Sequence, residues 1–233
     1  MKRILVVEDE YAIRELIALN LSRAGYDPVR APSAERALEL YHEAPGSYSL
    51  ALLDIMLPGM DGLELCRLLR SEDSSIGIIM LTAKVQETDK IHGFAIGADD
   101  YVTKPFSINE LLARVEAVLR RTGATSAAPK ESGDSVSQGQ FVLDKKARRV
   151  LKRGNPLDLT QVEYQIMEYF FNHAGAALSR DDILHAVWGE GYFGDIKIVD
   201  VNIRRLRMKV EDEPSSPSFI QTVWGFGYRW SAE

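Results

Sequence analysis

The chain has 233 residues, 45% apolar and 27% charged, with a formal net charge of -6. That length exceeds one average domain and falls short of two large ones, and the composition is that of an ordinary soluble globular protein. No apolar stretch approaches the roughly 20 residues of a membrane span, and one cysteine, Cys66, excludes an internal disulfide.

The N-terminus, MKRILVVEDE, passes into acids after one short apolar run, as no signal peptide does; with the lone cysteine this predicts a cytoplasmic protein. Residues 1–121 then alternate in type. Apolar runs at residues 4–7, 28–31, 50–53, 76–81 and 101–103 are separated by helical periodicities such as Ile13, Leu16, Ile17, Leu21 and Leu111, Leu112, Val115, Val118, Leu119. Continuous apolar strands alternating with amphipathic helices predict an α/β doubly wound, five-stranded parallel sheet covered on both faces. Ser107 and Glu110 form a capping box at the start of the last helix. Residues 122–138 are rich in Ser, Gly and Ala and read as a flexible linker.

From residue 139 short strands are broken by turns, one of them at Gly154-Asn155-Pro156. Thr160 with Glu163, and Ser179 with Asp182, open two helices; a third covers about residues 196–210; two aromatic-rich strands around a Gly-rich turn end the chain. Residues 139–233 therefore predict a small α+β domain. The acidic excess lies mainly in residues 1–121, while residues 139–233 are balanced. Whole-chain charge therefore does not argue against nucleic acid, and local clustering must decide.

The polar residues of the first domain collect where its strands end. Glu8 and Asp9 follow the first strand, Asp54 ends the third, Thr82 lies at the end of the fourth and Lys104 at the end of the fifth. Ligands of an open parallel sheet bind outside the carboxyl ends of its strands, and the order 2-1-3-4-5 brings Glu8, Asp9 and Asp54 together. Three carboxylates repel unless a cation joins them, and hard oxygen ligands suit Mg²⁺. With the Lys104 ammonium and the Thr82 hydroxyl they make a site for a phosphoryl group landing on Asp54.

The stretches VVEDE, LLDIMLPGMDG, MLTA, GADDYVTKPF, VDVNIRRLR and TVWGFGYRW carry a resemblance. Residues 1–121 resemble the receiver domains of two-component response regulators, and residues 139–233 the winged helix-turn-helix output domain of the OmpR/PhoB family. The resemblance implies that Asp54 is the phosphoacceptor for a sensor histidine kinase. It implies that Asp9 and Asp54 ligate Mg²⁺ with the Met56 carbonyl, Glu8 acting through water. It further implies that Thr82 and Lys104 hold phosphoryl oxygens beside a small Ala83, that Lys104–Pro105 is a cis peptide bond, and that Thr82 and Tyr101 form the switch. Phosphorylation would drive a homodimer through the face of the domain's last two helices and last strand. The matching positions there are Lys90, Asp99, Asp100, Glu110, Arg114 and Arg121, paired as Lys90–Glu110, Asp99–Arg114 and Asp100–Arg121.

In the helix at residues 196–210, Val199, Ile203, Leu206 and Val210 make the apolar stripe, with Lys197, Asn202, Arg204, Arg205, Arg207 and Lys209 placed opposite. A basic helix in a helix-turn-helix context points to double-stranded DNA, and the resemblance implies tandem half-sites and RNA polymerase as further partners. By resemblance Asn202 and Arg205 approach bases, while Lys197, Arg204 and Arg207, with Trp188 and Thr222, hold the backbone. Two positions depart from the family pattern: Asn202 stands where many relatives have His, and Trp224 where many have an Arg that enters the minor groove. For Trp224, packing on the DNA backbone and a core role in the hairpin both stand open. An aspartyl-phosphate phosphatase of the haloacid dehalogenase type would need a second Asp two residues after the first, and that position holds Met56.

Overall fold

Leu5 and Val7 point to one side of a strand and Ile4 and Val6 to the other, and all four are buried, so the sheet they belong to must be covered twice. A computed structural model of the chain describes residues 1–83, 97–122 (backbone only at 121 and 122), 135–189, 192 and 194–232. Strands β1 (Arg3–Val7), β2 (Asp27–Ala31), β3 (Tyr48–Asp54), β4 (Gly77–Ala83) and β5 (Asp100–Lys104) pair in parallel in the order β2-β1-β3-β4-β5. On one face, helices Ala34–Glu43 and Gly62–Glu72 bury Ala37, Tyr41, Leu65, Cys66 and Leu69 against Leu5, Val7, Leu53 and Met80. On the other, helices Tyr11–Arg23 and Ile108–Thr122 bury Ile17, Leu21, Leu111, Val115 and Val118 against Ile4, Val6, Leu52 and Leu81. The register Asp54↔Leu81 and Ala83↔Lys104 brings the carboxyl ends of three strands level. The sheet order and the double cover are those expected from the sequence.

The chain divides into two compact units, residues 1–123 and 124–233. The second opens with an antiparallel sheet, β6 (Ser135–Gln138), β7 (Phe141–Asp144), β8 (Arg149–Lys152) and β9 (Asn155–Pro156). Ser135–Gln138 was expected in the linker. Val136 pairs with Leu143, and the Gln138 side chain bridges the Phe171 carbonyl (2.9 Å) and the Trp230 indole N–H (2.6 Å), contacts that linker composition cannot reveal.

Helices Gln161–Asn172, Arg180–Trp188 and Lys197–Val210 follow, then a sheet in which β12 (Gly227–Trp230) lies between β10 (Ala177–Ser179) and β11 (Ile220–Val223). The predicted capping box Thr160–Glu163 is formed, the helix start at Ser179–Asp182 proves to be one as well, and at the other predicted box the Glu110 N–H donates to Ser107 Oγ at 3.1 Å; Glu163 also takes the Lys209 ammonium at 2.6 Å. Phe141, Phe170, Phe171 and Phe219 pack around the buried Trp230 ring. Among the described residues, no helix is long and apolar enough to cross a membrane.

Candidate functional site

At the carboxyl end of the parallel sheet, Lys104 Nζ lies 2.7 Å from Glu8 Oε2 and 2.7 Å from Asp54 Oδ2. Glu8, Asp9 and Asp54 each offer an oxygen within 4.8 Å of the others. Asp54 is only 4% exposed and Glu8 is equally inaccessible, whereas Asp9 faces solvent. Burial pushes the Glu8 carboxyl up from its ordinary value; the Lys104 hydrogen bond opposes that rise and the Asp54 charge adds to it. Burial also pulls on the Lys104 ammonium, but its bonds to Asp54 and Glu8 outweigh the pull and hold its pKa above the usual lysine value. Lys104 is therefore a fixed cation shared by two buried acids.

The donor set fits a small hard cation. Three carboxylates converge, one of them open to water, and Mg²⁺ keeps water in its coordination sphere. The Met56 N–H donates to Asp54 Oδ1 at 3.1 Å, which draws the Met56 backbone against the same carboxylate, while its side chain turns to solvent. Thr82 is buried one residue past the strand position level with Asp54, and its hydroxyl donates to the Ala83 carbonyl at 2.8 Å. Tyr101 is half-buried against the core face that includes Val7, Leu53 and Met80. The Lys104–Pro105 bond is cis, as the resemblance implied.

Three residues that the sequence did not single out hold this pocket. Arg14 donates to the carbonyl oxygens of Glu8 (2.6 Å) and Asp9 (3.1 Å), fixing the turn that carries both acids. Glu35 accepts the Met60 N–H at 3.0 Å, and that bond pulls its carboxyl pKa down. Gly62 lies so close to Asp54 that a Cβ there would sit 1.9 Å from the Asp54 carbonyl oxygen. Asp61 caps the helix that Gly62 opens, accepting the Glu64 N–H at 2.8 Å.

The proposed dimer charges are engaged inside the domain. Asp99 meets Arg70 at 2.6 Å and accepts the Ile78 N–H at 2.7 Å. Arg114 meets Asp100 at 3.2 Å and Glu110 at 2.9 Å. Asp99, Asp100 and Arg114 are buried, so the expected Asp99–Arg114 pair is not a pair of open surface charges. Arg70 was missed because it lies 29 residues from Asp99 and reads as a helix-surface cation. Lys90 and the Arg121 side chain lie outside the described residues.

In the second unit the helix Lys197–Val210 buries a broader face than the single stripe expected. Ile198, Asn202 and Arg205 are buried beside Val199, Ile203, Leu206 and Val210. Asn202 is 1% exposed and donates to the Ile198 carbonyl at 2.8 Å, and Arg205 is 5% exposed with Nη1 3.4 Å from Asn202 Oδ1. The base-reading role expected of these two is thus at odds with their placement. The helix is packed by both Gln161–Asn172 and Arg180–Trp188, and two neighbours cover two adjacent stripes.

Trp188 is likewise core, and Arg207 is drawn inward, donating to the Ile220 carbonyl (2.6 and 3.0 Å) and the Thr222 hydroxyl (2.8 Å). The outward stripe is Lys197, Val201, Arg204 and Met208, spaced 4, 3 and 4 residues apart, with Val201 half-buried and the other three exposed. Trp224, for which a core role stood open, is 91% exposed at the tip of the β11–β12 hairpin.

Comparison with known proteins follows this division. Residues 4–116 match the family model of the response regulator receiver domain, and residues 154–230 that of the transcriptional regulatory protein C-terminal domain. The solved structure of the response regulator DrrB, an OmpR/PhoB homolog of Thermotoga maritima, is 29% identical over 99% of both chains, with a TM-score of 0.51. A RitR mutant is 25% identical over 100% of both chains, with a TM-score of 0.77. A member of a family of redox sensors in the streptococci, evolved from two-component response regulators, is 25% identical over 100% of both chains, with a TM-score of 0.50.

Proposed function

The chain belongs to the OmpR/PhoB-type response regulators, two-component transcription regulators rather than enzymes, and from that premise we propose that phosphorylation of Asp54 controls its binding to promoter DNA. The observation that carries this is Lys104 held at 2.7 Å from both Asp54 and Glu8, at the sheet edge where a ligand can enter. Asp54 takes the phosphoryl group of a sensor histidine kinase on a carboxylate oxygen. Lys104 then turns from neutralising the carboxylate to holding a phosphoryl oxygen, and the Thr82 hydroxyl supplies a second donor. Asp9, Asp54 and the Met56 carbonyl would hold Mg²⁺, with Glu8 acting through water, and the bound ion would supply charge neutralisation to the phosphoryl group.

Thr82 and Tyr101 pass the change to the face that bears Asp99, Asp100, Glu110 and Arg114, where phosphorylation favours a symmetric homodimer. A dimer pair between Asp99 and Arg114 requires Arg70 and Asp100 to release them. Such an exchange of partners suits a two-state equilibrium that phosphorylation biases. The DNA surface of this reading is the outward stripe Lys197, Val201, Arg204 and Met208 together with the hairpin. Tandem half-sites fit two copies, and RNA polymerase is the partner through which a bound regulator acts.

The redox sensing named for the streptococcal relatives does not transfer, because the sole cysteine, Cys66, is fully buried beneath its helix. Incubation with acetyl phosphate and Mg²⁺ should add one phosphoryl group to the protein and raise its affinity for promoter DNA. Asp54→Ala should lose both effects; a variant that is still phosphorylated would move the acceptor elsewhere.

A further inference from the structure

Two of the three acids in the pocket are held by their side chains. Lys104 bonds to Glu8 and Asp54 at 2.7 Å each, and the Met56 N–H donates to Asp54 at 3.1 Å. Asp9 is different: it is exposed, and its carboxylate accepts no hydrogen bond among the described residues. Its place is set by its backbone alone. In an extended strand successive carbonyls point to alternate sides. Past the end of β1 they do not, because the carbonyl oxygens of Glu8 and Asp9 both meet one nitrogen, Arg14 Nη1, at 2.6 and 3.1 Å. The Glu8 N–H donates to the Ala31 carbonyl at 3.2 Å, which ties the start of this turn to β2. Its other end enters the Tyr11–Arg23 helix, whose N-cap residue, Glu10, makes no side-chain bond to the helix. The guanidinium that gathers the two carbonyls is itself steadied from outside, 5.5 Å from the centre of the Tyr11 ring.

From this geometry, and resting on the reading of the pocket as a Mg²⁺ site, we infer that Arg14 is a positioning residue for the cation: by bridging two consecutive carbonyls it fixes the turn that aims Asp9 at Asp54, and so sets how tightly Mg²⁺ is held. Arg14 acts through Asp9 and not on the ion or the phosphoryl group. Two carbonyl dipoles directed at one point repel once the cation between them is gone. The turn then relaxes toward alternating carbonyls and carries the Asp9 carboxylate with it, while Glu8 and Asp54 stay on Lys104. Groups that orient a metal ligand from behind are worth ten- to a hundredfold in affinity, even though they never touch the metal.

The sign of the effect separates positioning from charge. A guanidinium near a dication site repels the ion, so by Coulomb's law alone its removal tightens binding. Positioning demands the reverse. Two measurements on the full-length protein read the difference: calorimetric titration of Mg²⁺ into the unphosphorylated form, and phosphate uptake from acetyl phosphate as a function of Mg²⁺ concentration. Arg14→Met keeps the length of the stem and removes the donors. It should bind Mg²⁺ about tenfold more weakly, at the lower end of the range for a group behind a metal ligand. Half-maximal phosphorylation should need about tenfold more Mg²⁺, with the rate at saturating Mg²⁺ unchanged. Arg30→Ala, which breaks a 2.9 Å bond to Glu15 on the same helix but leaves the turn alone, should bind Mg²⁺ like the parent.

An Arg14→Met protein that binds Mg²⁺ as tightly as the parent, or more tightly, overturns the inference. So does a reduced rate at saturating Mg²⁺ with unchanged Mg²⁺ affinity, which would put the guanidinium on the phosphoryl group instead. Equal weakening in Arg30→Ala assigns the loss to the helix as a whole and likewise overturns it. If Arg14→Met melts too low to titrate, Arg14→Gln, which can donate to one carbonyl, is read by the same criteria. A parent protein with neither Mg²⁺ binding nor a Mg²⁺ requirement removes the underlying reading as well.

Discussion

Replacing Gly62 by alanine should disable the pocket without touching any charged group. The added Cβ would sit 1.9 Å from the Asp54 carbonyl oxygen, 2.8 Å from its carbonyl carbon and 3.0 Å from Ile55 Cα. All three are backbone atoms, so no side chain can swing away. Restoring an ordinary contact requires the Gly62–Glu72 helix start and the end of β3 to part by about 1.5 Å. That displacement is more than half the 2.7 Å distance from Asp54 to Lys104. Misplacement of a reacting group by ~1 Å can cost about a hundredfold in rate, and overpacking costs about 1–3 kcal/mol of stability. Gly62→Ala should therefore take up phosphate from acetyl phosphate on the order of a hundred times more slowly and melt several degrees lower. Asp61→Ala is the control: it removes the helix cap at a cost of about 1 kcal/mol but leaves the approach to Asp54 open. Phosphorylation of Gly62→Ala at the parental rate would refute the reasoning, since it would mean the backbone contact does not position Asp54.

Arg114→Glu sets a third carboxylate beside buried Asp100 and Glu110, so it should destabilise the unphosphorylated receiver by about 3–5 kcal/mol in denaturant titration. Unchanged stability with impaired dimerisation would instead make Arg114 an intermolecular partner, and Asp99→Arg would then partly rescue it. Arg205→Ala should lower the melting temperature of the second unit. Arg204→Ala should leave stability within about 0.5 kcal/mol and reduce the salt slope of DNA binding by about one.

Burial, then the hydrogen bond and charge of Asp200, pushes Tyr228 up to about 12, against about 10 in an unfolded chain. The folded pKa is the higher one. Its contribution, on the order of 2 kcal/mol, is therefore present in full below about pH 10 and lost as pH rises toward about 12. Tyr228→Phe should flatten that alkaline loss in urea titrations; a parallel decline in both proteins would show that Tyr228 does not titrate with folding.

The parallel sheet was legible because a strand covered on both faces must be apolar without interruption, as Leu50–Leu53 is, and helices fill the intervals. The convergence of its candidate site was legible for the same reason: a charge such as Asp54 at the end of such a run has no packing role. The capping box at Thr160 and the helix start at Ser179 are local signals and were read correctly. What escaped the sequence is what depends on distant contacts. Ser135–Gln138 is too short and polar to stand out from a linker, and becomes a strand only against Phe141–Asp144. Arg14, Arg70 and Gly62 act on backbone atoms or on partners far along the chain, and nothing in their own neighbourhood marks them. The helix Lys197–Val210 misled for a related reason. An apolar stripe at spacings of four, three and four identifies one buried edge of a helix, but it cannot say how many neighbours cover the rest.

That last point changes what the helix can read. Were Asn202 and Arg205 outward, an amide and a guanidinium would face base edges, and readout would rest on hydrogen bonds. With both buried, the stripe left for DNA alternates cation and apolar group: Lys197, Val201, Arg204, Met208. Two cations at that spacing suit phosphates and guanine edges, whereas Val201 and Met208 offer only surface, and the apolar feature of the major groove is the thymine methyl. The hairpin repeats the theme, since Trp224 and Phe226 bring aromatic area and no charge. On the proposed DNA-binding reading, specificity would then rest on contacts of Val201 and Met208 with thymine methyl groups. Such terms fall off steeply with distance and are insensitive to salt, unlike the phosphate contacts beside them. Raising salt should therefore weaken all complexes while widening the margin between preferred and random duplexes.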